Sequence, residues 1–197
     1  MPTLETSRLS IGELVVSQKG AKQVPILFCD QPLTWRPGPL SVLWQPKAFN
    51  DPDASRVAVC FTSTPEVETY LSALDGWVLN AVAAAPRKYF GQDLTMDQIR
   101  ERYTPALKTT SKGYTHLRAK MNTTGKMAVR CWDMLTRAKT SHPEDWTNCE
   151  IQPCFQIKGL WIMNRDFGLL IELTDALIGE NSTACPFSSF FFVLTKR

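Results

Sequence analysis

The first sixty positions carry short apolar-rich runs between polar and turn residues, the pattern of strands, and in one of them Val24, Ile26 and Phe28 alternate with Gln23, Pro25 and Leu27. Two such runs, at 9–16 and 23–28, flank a turn at Gln18-Lys19-Gly20-Ala21. Pro25 inside the second places it at a sheet edge or a bulge. The run WRPGP at 35–39 reads as a rigid loop, followed by short strands at 40–44 and 56–62. Trp35 and Trp44 flank that loop; each is equally compatible with lining a groove and with covering the end of the fold.

At Ser63 the period changes to 3.6. Ser63-Thr64-Pro65-Glu66 supplies an N-cap with Pro at the first helical position. Val67, Tyr70, Leu71, Leu74, Trp77, Val78, Ala81 and Val82 then make one apolar helical face that ends near Ala85-Pro86. Thr95 caps a second short helix, 96–103, which stops before Pro105. Alternation returns at 115–121 and 126–132, and Asn122-Thr123-Thr124-Gly125 between them predicts a hairpin. A polar loop at 136–148 precedes long apolar strands at 149–163 and 167–178, which flank the turn Asn164-Arg165-Asp166. Alternation places Trp161 with Phe155, Ile157 and Gly159, on the core side. The expected fold is mainly β: an OB-like antiparallel barrel with a helical insertion between strands at about 65–104. Residues 1–180 form that single domain, and 181–197 form a hydrophobic C-terminal arm.

No run of apolar residues reaches the roughly 20 needed to span a membrane, so no membrane association is expected. The N-terminus has no basic segment followed by an apolar stretch, which predicts an intracellular protein. The six cysteines form no C-x-x-C pair, and neither His116 nor His142 completes a zinc set. There is no Walker A loop, no G-x-S-x-G and no G-x-G-x-x-G. Asp51 and Asp53 form a close acid pair in a loop, with no third carboxylate beside them in sequence. A protein without catalytic activity, metal or cofactor is expected.

Charge changes the picture locally. Net charge is only +3. Yet Lys108, Lys112, Arg118, Lys120, Lys126, Arg130, Arg137 and Lys139 follow one another with a single acid, Asp133, among them. Such a strip is the footprint of a polyanion site. In the expected hairpin, His116, Arg118, Lys120, Lys126, Arg130 and Trp132 share the outward face. Cations there would track phosphates, and a ring would stack on unpaired bases. Trp44 and Lys158 are further candidates.

Two segments resemble a known family. Tyr103-Thr-Pro-Ala-Leu-Lys108, Gly113-Tyr-Thr-His-Leu-Arg-Ala-Lys120 and Gly125-Lys126 form one. The other is 151–178, with Gly159-Leu-Trp161 and Phe167-Gly168. They resemble OB-fold single-stranded-DNA-binding proteins of large eukaryotic DNA viruses and of phages. The resemblance implies a protein that coats single strands during replication or recombination, in the host nucleus or cytoplasm. It carries Lys108, Arg118, Lys120, Lys126 and Trp161 over as contact residues. The chain departs from the family's acidic C-terminal tail, since no acid follows Glu180. Phe190, Phe191 and Phe192 instead suggest homo-oligomers locked by the arm. A viral coat or matrix subunit is the alternative reading. The partner is single-stranded DNA, with RNA not distinguished.

Overall fold

The change of period at Ser63 is where the chain leaves the sheet. A computed structural model describes residues 4–18, 20–47 and 54–180. The proposed arm, with Phe190, Phe191 and Phe192, and the pair Asp51 and Asp53 lie outside them.

The strands before the helices are β1 (Leu9–Ile11), β2 (Val15–Val16), β3 (Lys22–Phe28), β4 (Gln31–Trp35), β5 (Leu40–Lys47) and β6 (Arg56–Thr62). Helices α1 (Pro65–Ala83), α2 (Pro86–Phe90) and α3 (Met96–Arg102) follow. The chain then returns to strands: β7 (Tyr103–Thr104), β8 (Leu107–Thr109), β9 (Thr115–Asn122), β10 (Arg130–Asp133), β11 (Lys139–Thr140), β12 (Cys149–Met163) and β13 (Asp166–Glu180).

Both expected caps form. The Thr64 hydroxyl accepts from the Val67 N–H, and Thr95 and Gln98 complete a capping box on α3. Val67, Leu71, Leu74, Val78 and Val82 bury the predicted face of α1. Trp35 covers this junction. It is 5% exposed and stacks flat on Tyr70 of α1, ring centroids 4.3 Å apart. Its segment, read as part of a loop, is the end of β4.

Four long strands follow Greek-key order. β12 lies beside β5, β5 beside β6 and β6 beside β9, all antiparallel. β13 then pairs along its whole length with β12 and, over Glu172–Lys120 and Leu173–Met121, with β9. The ladders therefore return on themselves as a circuit of five strands. Val42, Phe61, Leu117, Phe155 and Ile171 fill its inside. The sheet is mixed, not antiparallel throughout, because β7, β9 and β10 all run parallel to β13.

The expected hairpin of 115–121 with 126–132 does not form. β9 gives one edge to β6, over seven residue pairs, and the other to β8 and β13. No edge remains for β10. Met121 faces Leu173 and Arg130 faces Asp175, so β9 and β10 lie end to end along one edge of β13. Residues 122–129 loop out between them, closed by the Val129 N–H donating to the Asn122 carbonyl at 2.9 Å.

Asp75 of α1 ties the helical insertion to the strands. Its carboxylate accepts from the Tyr103 hydroxyl and the Ala106 N–H. Burial pushes its pKa up to about 6, outweighing these hydrogen bonds. An acid whose folded pKa is raised holds its proton longer in the native state, so its contribution to stability falls as pH rises from about 4 through about 6. Asp75→Asn should abolish that slope and gain about 2 kcal/mol at pH 7. Urea midpoints of both proteins at about pH 4.5 and about pH 7 check it.

Candidate nucleic-acid interface

The outer face of β9 carries His116, Arg118 and Lys120, because Leu117, Ala119 and Met121 turn inward and are buried. β6 does the same, with Val57, Val59 and Phe61 inside and Arg56, Ala58 and Cys60 outside. Registry then builds cross-strand rows. Lys108, His116 and Thr62 form one; Arg118, Cys60 and Trp44 the next; Glu172, Lys120 and Ala58 a third.

Beside these rows lies a trough of about 950 Å³. Its lining includes Lys22, Arg56, Lys108, Arg118 and Lys120 and, among the described residues, no acid. Trp161, Met163 and Leu170 supply its apolar surface. Of these cations, Arg56 bonds to Glu172. Among the described residues the ion pairs engage Arg8, Arg56, Arg87, Lys88, Arg100, Arg130 and Lys158, and none of Lys22, Lys108, Arg118 or Lys120. Lys120 records the crowding. Burial first, then the charges of Arg118 and Arg56, hold its ammonium below the usual lysine range.

Trp161 reaches this trough through an interruption in β12. The register of β12 with β13 shifts between Ile157 and Gly159, which inverts the alternation. Ile157, Leu160 and Ile162 are buried, while Trp161 is only half-buried and Met163 is 65% exposed. The expectation that Trp161 belongs to the core is thereby corrected. Its indole lies against Gly168, where a Cβ would come within 3.0 Å of the ring and 2.7 Å of the Thr104 carbonyl oxygen.

The remaining candidates are dispersed. Lys112 lies in the β8–β9 turn and Lys126 in the 122–129 loop, both exposed. Arg130 pairs with Asp175 at 2.7 Å, and the Trp132 indole N–H donates to the same carboxylate at 3.0 Å. That acid fixes the edge of Trp132 and neutralises Arg130. Lys158 pairs with Glu172 at 3.5 Å. His116 shares the outer face but is only 8% exposed, with the half-exposed Trp44 edge-on to it at 5.3 Å. The single outward-facing hairpin surface that was to unite His116, Arg118, Lys120, Lys126, Arg130 and Trp132 is thus absent. Arg118 and Lys120 instead join Lys108 from β8, and Lys22 and Arg56 from the first sixty residues. Those two carried no signal in sequence: each is one exposed cation at the start of an ordinary strand.

No known protein family matches the chain by sequence, and no curated protein matches it. Among solved structures, the single-stranded DNA-binding protein from bacteriophage Enc34 in complex with ssDNA is similar over 87% of this chain and 93% of that one, with 9% identity and a TM-score of 0.44. A second structure of the same phage protein covers 87% and 90%, with 8% identity and a TM-score of 0.44.

Proposed function

We propose that the chain binds single-stranded DNA without sequence preference, on an OB-like barrel, and coats strands during replication or recombination without catalysing a reaction. The observation that carries this reading is the trough, in which Lys22, Lys108, Arg118 and Lys120 stand beside the indole of Trp161, outside the ion pairs among the described residues. Phosphates need the cations, and only unstacked bases can use the ring. The Greek-key circuit of five strands supports the barrel, and in OB-folds the outer strands 2–3 face and the loop between strands 4 and 5 take oligonucleotides. In this chain those are β6 with β9 and the β12–β13 turn, which contribute Arg56, Arg118, Lys120 and Asn164 to the trough. The resemblance of residues 103–178 to viral single-strand-binding proteins points the same way. Self-association through Phe190, Phe191 and Phe192 and an intracellular site of action belong to the same reading.

The test is a titration with oligo-dT followed by tryptophan fluorescence, with duplex DNA and oligo-U as comparators. Quenching by single strands and not by duplex is expected. Four phosphate contacts give a log–log salt slope of about −2.8, so affinity should fall by roughly 600-fold per tenfold rise in salt. Equal affinity at low and high salt would refute the reading.

A further inference from the structure

We infer that the bound strand leaves the trough and crosses β9 and β6, over Cys60, to a second stacking platform formed by Trp44 on His116. This rests on the reading above and adds the direction of the strand and a second contact point.

Four observations fix the route. Arg118, which lines the trough, stands in one row with Cys60 and Trp44, so the path continues without a gap. Strands about 4.8 Å apart place Trp44, on β5, about 19 Å around the surface from Trp161, on β12. Single-strand sites of about 4–16 nucleotides are of that reach. The cations of the trough extend to this row: Arg118 stands opposite Cys60, whose thiol burial pushes up while the charges of Arg118, Lys108 and Lys120 oppose that shift. No acid stands in the row of Arg118, Cys60 and Trp44 or in that of Lys108, His116 and Thr62.

The platform is also built for a flat ligand. Trp44 is 50% exposed, a costly display for an indole, and its ring meets His116 edge-on, at an interplanar angle of 81°. His116 is 8% exposed and, among the described residues, its Nδ1 has no hydrogen-bond partner. A buried polar atom left unsatisfied is unusual and marks a place where a ligand group can supply the missing bond. Toward β10 the cations are already engaged: the buried Glu172 pairs with Arg56 and Lys158, and Asp175 holds Arg130 and the indole N–H of Trp132.

Cys60 reports the path. Modification by N-ethylmaleimide, read by peptide mass spectrometry, should slow about fivefold or more when dT12 is bound. The exposed Cys29 serves as the internal reference and should react at an unchanged rate. Trp44→Ala should weaken binding of dT12 by about 10-fold, the scale of one lost base stack, and leave dT4, which fills the trough alone, within twofold. Trp44→Phe, which keeps a ring, should restore most of the loss. Binding of dT12 with Cys60 reacting at its unliganded rate, or equal effects of Trp44→Ala on both lengths, would overturn this route and leave the trough standing. Failure of the unmodified protein to bind either oligonucleotide at low salt would overturn both.

Discussion

Replacing Arg118 and Lys120 together by alanine is expected to weaken oligo-dT binding about 25-fold at roughly 0.1 M salt. Each cation that neutralises a phosphate on a single strand contributes a log–log salt slope of about −0.7, or a factor of about 5 in affinity at that salt relative to about 1 M. Two such contacts multiply to about 25, and the slope should become shallower by about 1.4. The loss should be similar for every base composition, because phosphates carry no sequence. The fold should not suffer. Lys120 is held partly buried beside Arg118 and Arg56, and its depressed pKa means that the native state disfavours its charge. Removing it relieves that repulsion, so the thermal midpoint without DNA should stay level or rise. Arg137→Ala with Lys139→Ala removes the same charge from exposed positions at β10–β11, outside the trough, and should cost less than about twofold. Fluorescence anisotropy over a salt series measures the affinities and slopes, and a thermal melt without DNA measures the midpoint. An Arg118/Lys120 variant that binds within twofold of the parent would remove the electrostatic basis of the site.

The sequence made the local elements readable and left their partners hidden. The helix caps, the buried stripe of α1 and the limits of β6, β9 and β12 follow from residue type and period, which act within a few positions. Strand pairing does not. Asn122-Thr-Thr-Gly125 has hairpin chemistry, yet β9 and β10 both find a longer apolar partner in β13, and the loop merely carries the chain from one to the other. The same limit applies to the site. Arg118 and Lys120 were legible as outward cations on a strand with an apolar inner face. Lys22 and Arg56 arrive beside them only because the circuit of strands brings β3 and β6 to the same side as β9. Nor could sequence weigh Arg130 against Arg118: the two differ in the presence of Asp175, forty-five residues further along the chain.

Trp161 shows how one residue can reverse such a reading, and it carries the largest stability effect to be expected here. Gly159→Ala should lower stability by about 4 kcal/mol or prevent folding. The backbone at Gly159 has φ +138°, a region L side chains rarely adopt, and a Cβ there would lie 2.0 Å from the Val24 carbonyl oxygen and 2.8 Å from the Pro25 Cα. Those are backbone atoms held in register, Gly159 opposite Pro25 and Leu160 opposite Val24, so neither can move without opening the β12–β3 ladder. Opening it exposes Val24 and Ile26, both essentially fully buried. The alternative, loss of the bulge, slips β12 by one residue, which turns Trp161 and Met163 inward and Leu160 and Ile162 outward. Either route also disturbs the trough, because Lys22 stands opposite Ile162 in the same ladder and lines it. Urea midpoint and oligo-dT affinity should therefore fall together in this variant, whereas in the Arg118 and Lys120 variant affinity falls alone. Wild-type stability with alanine at 159 would mean that the interruption in β12 is not what turns Trp161 toward the cations.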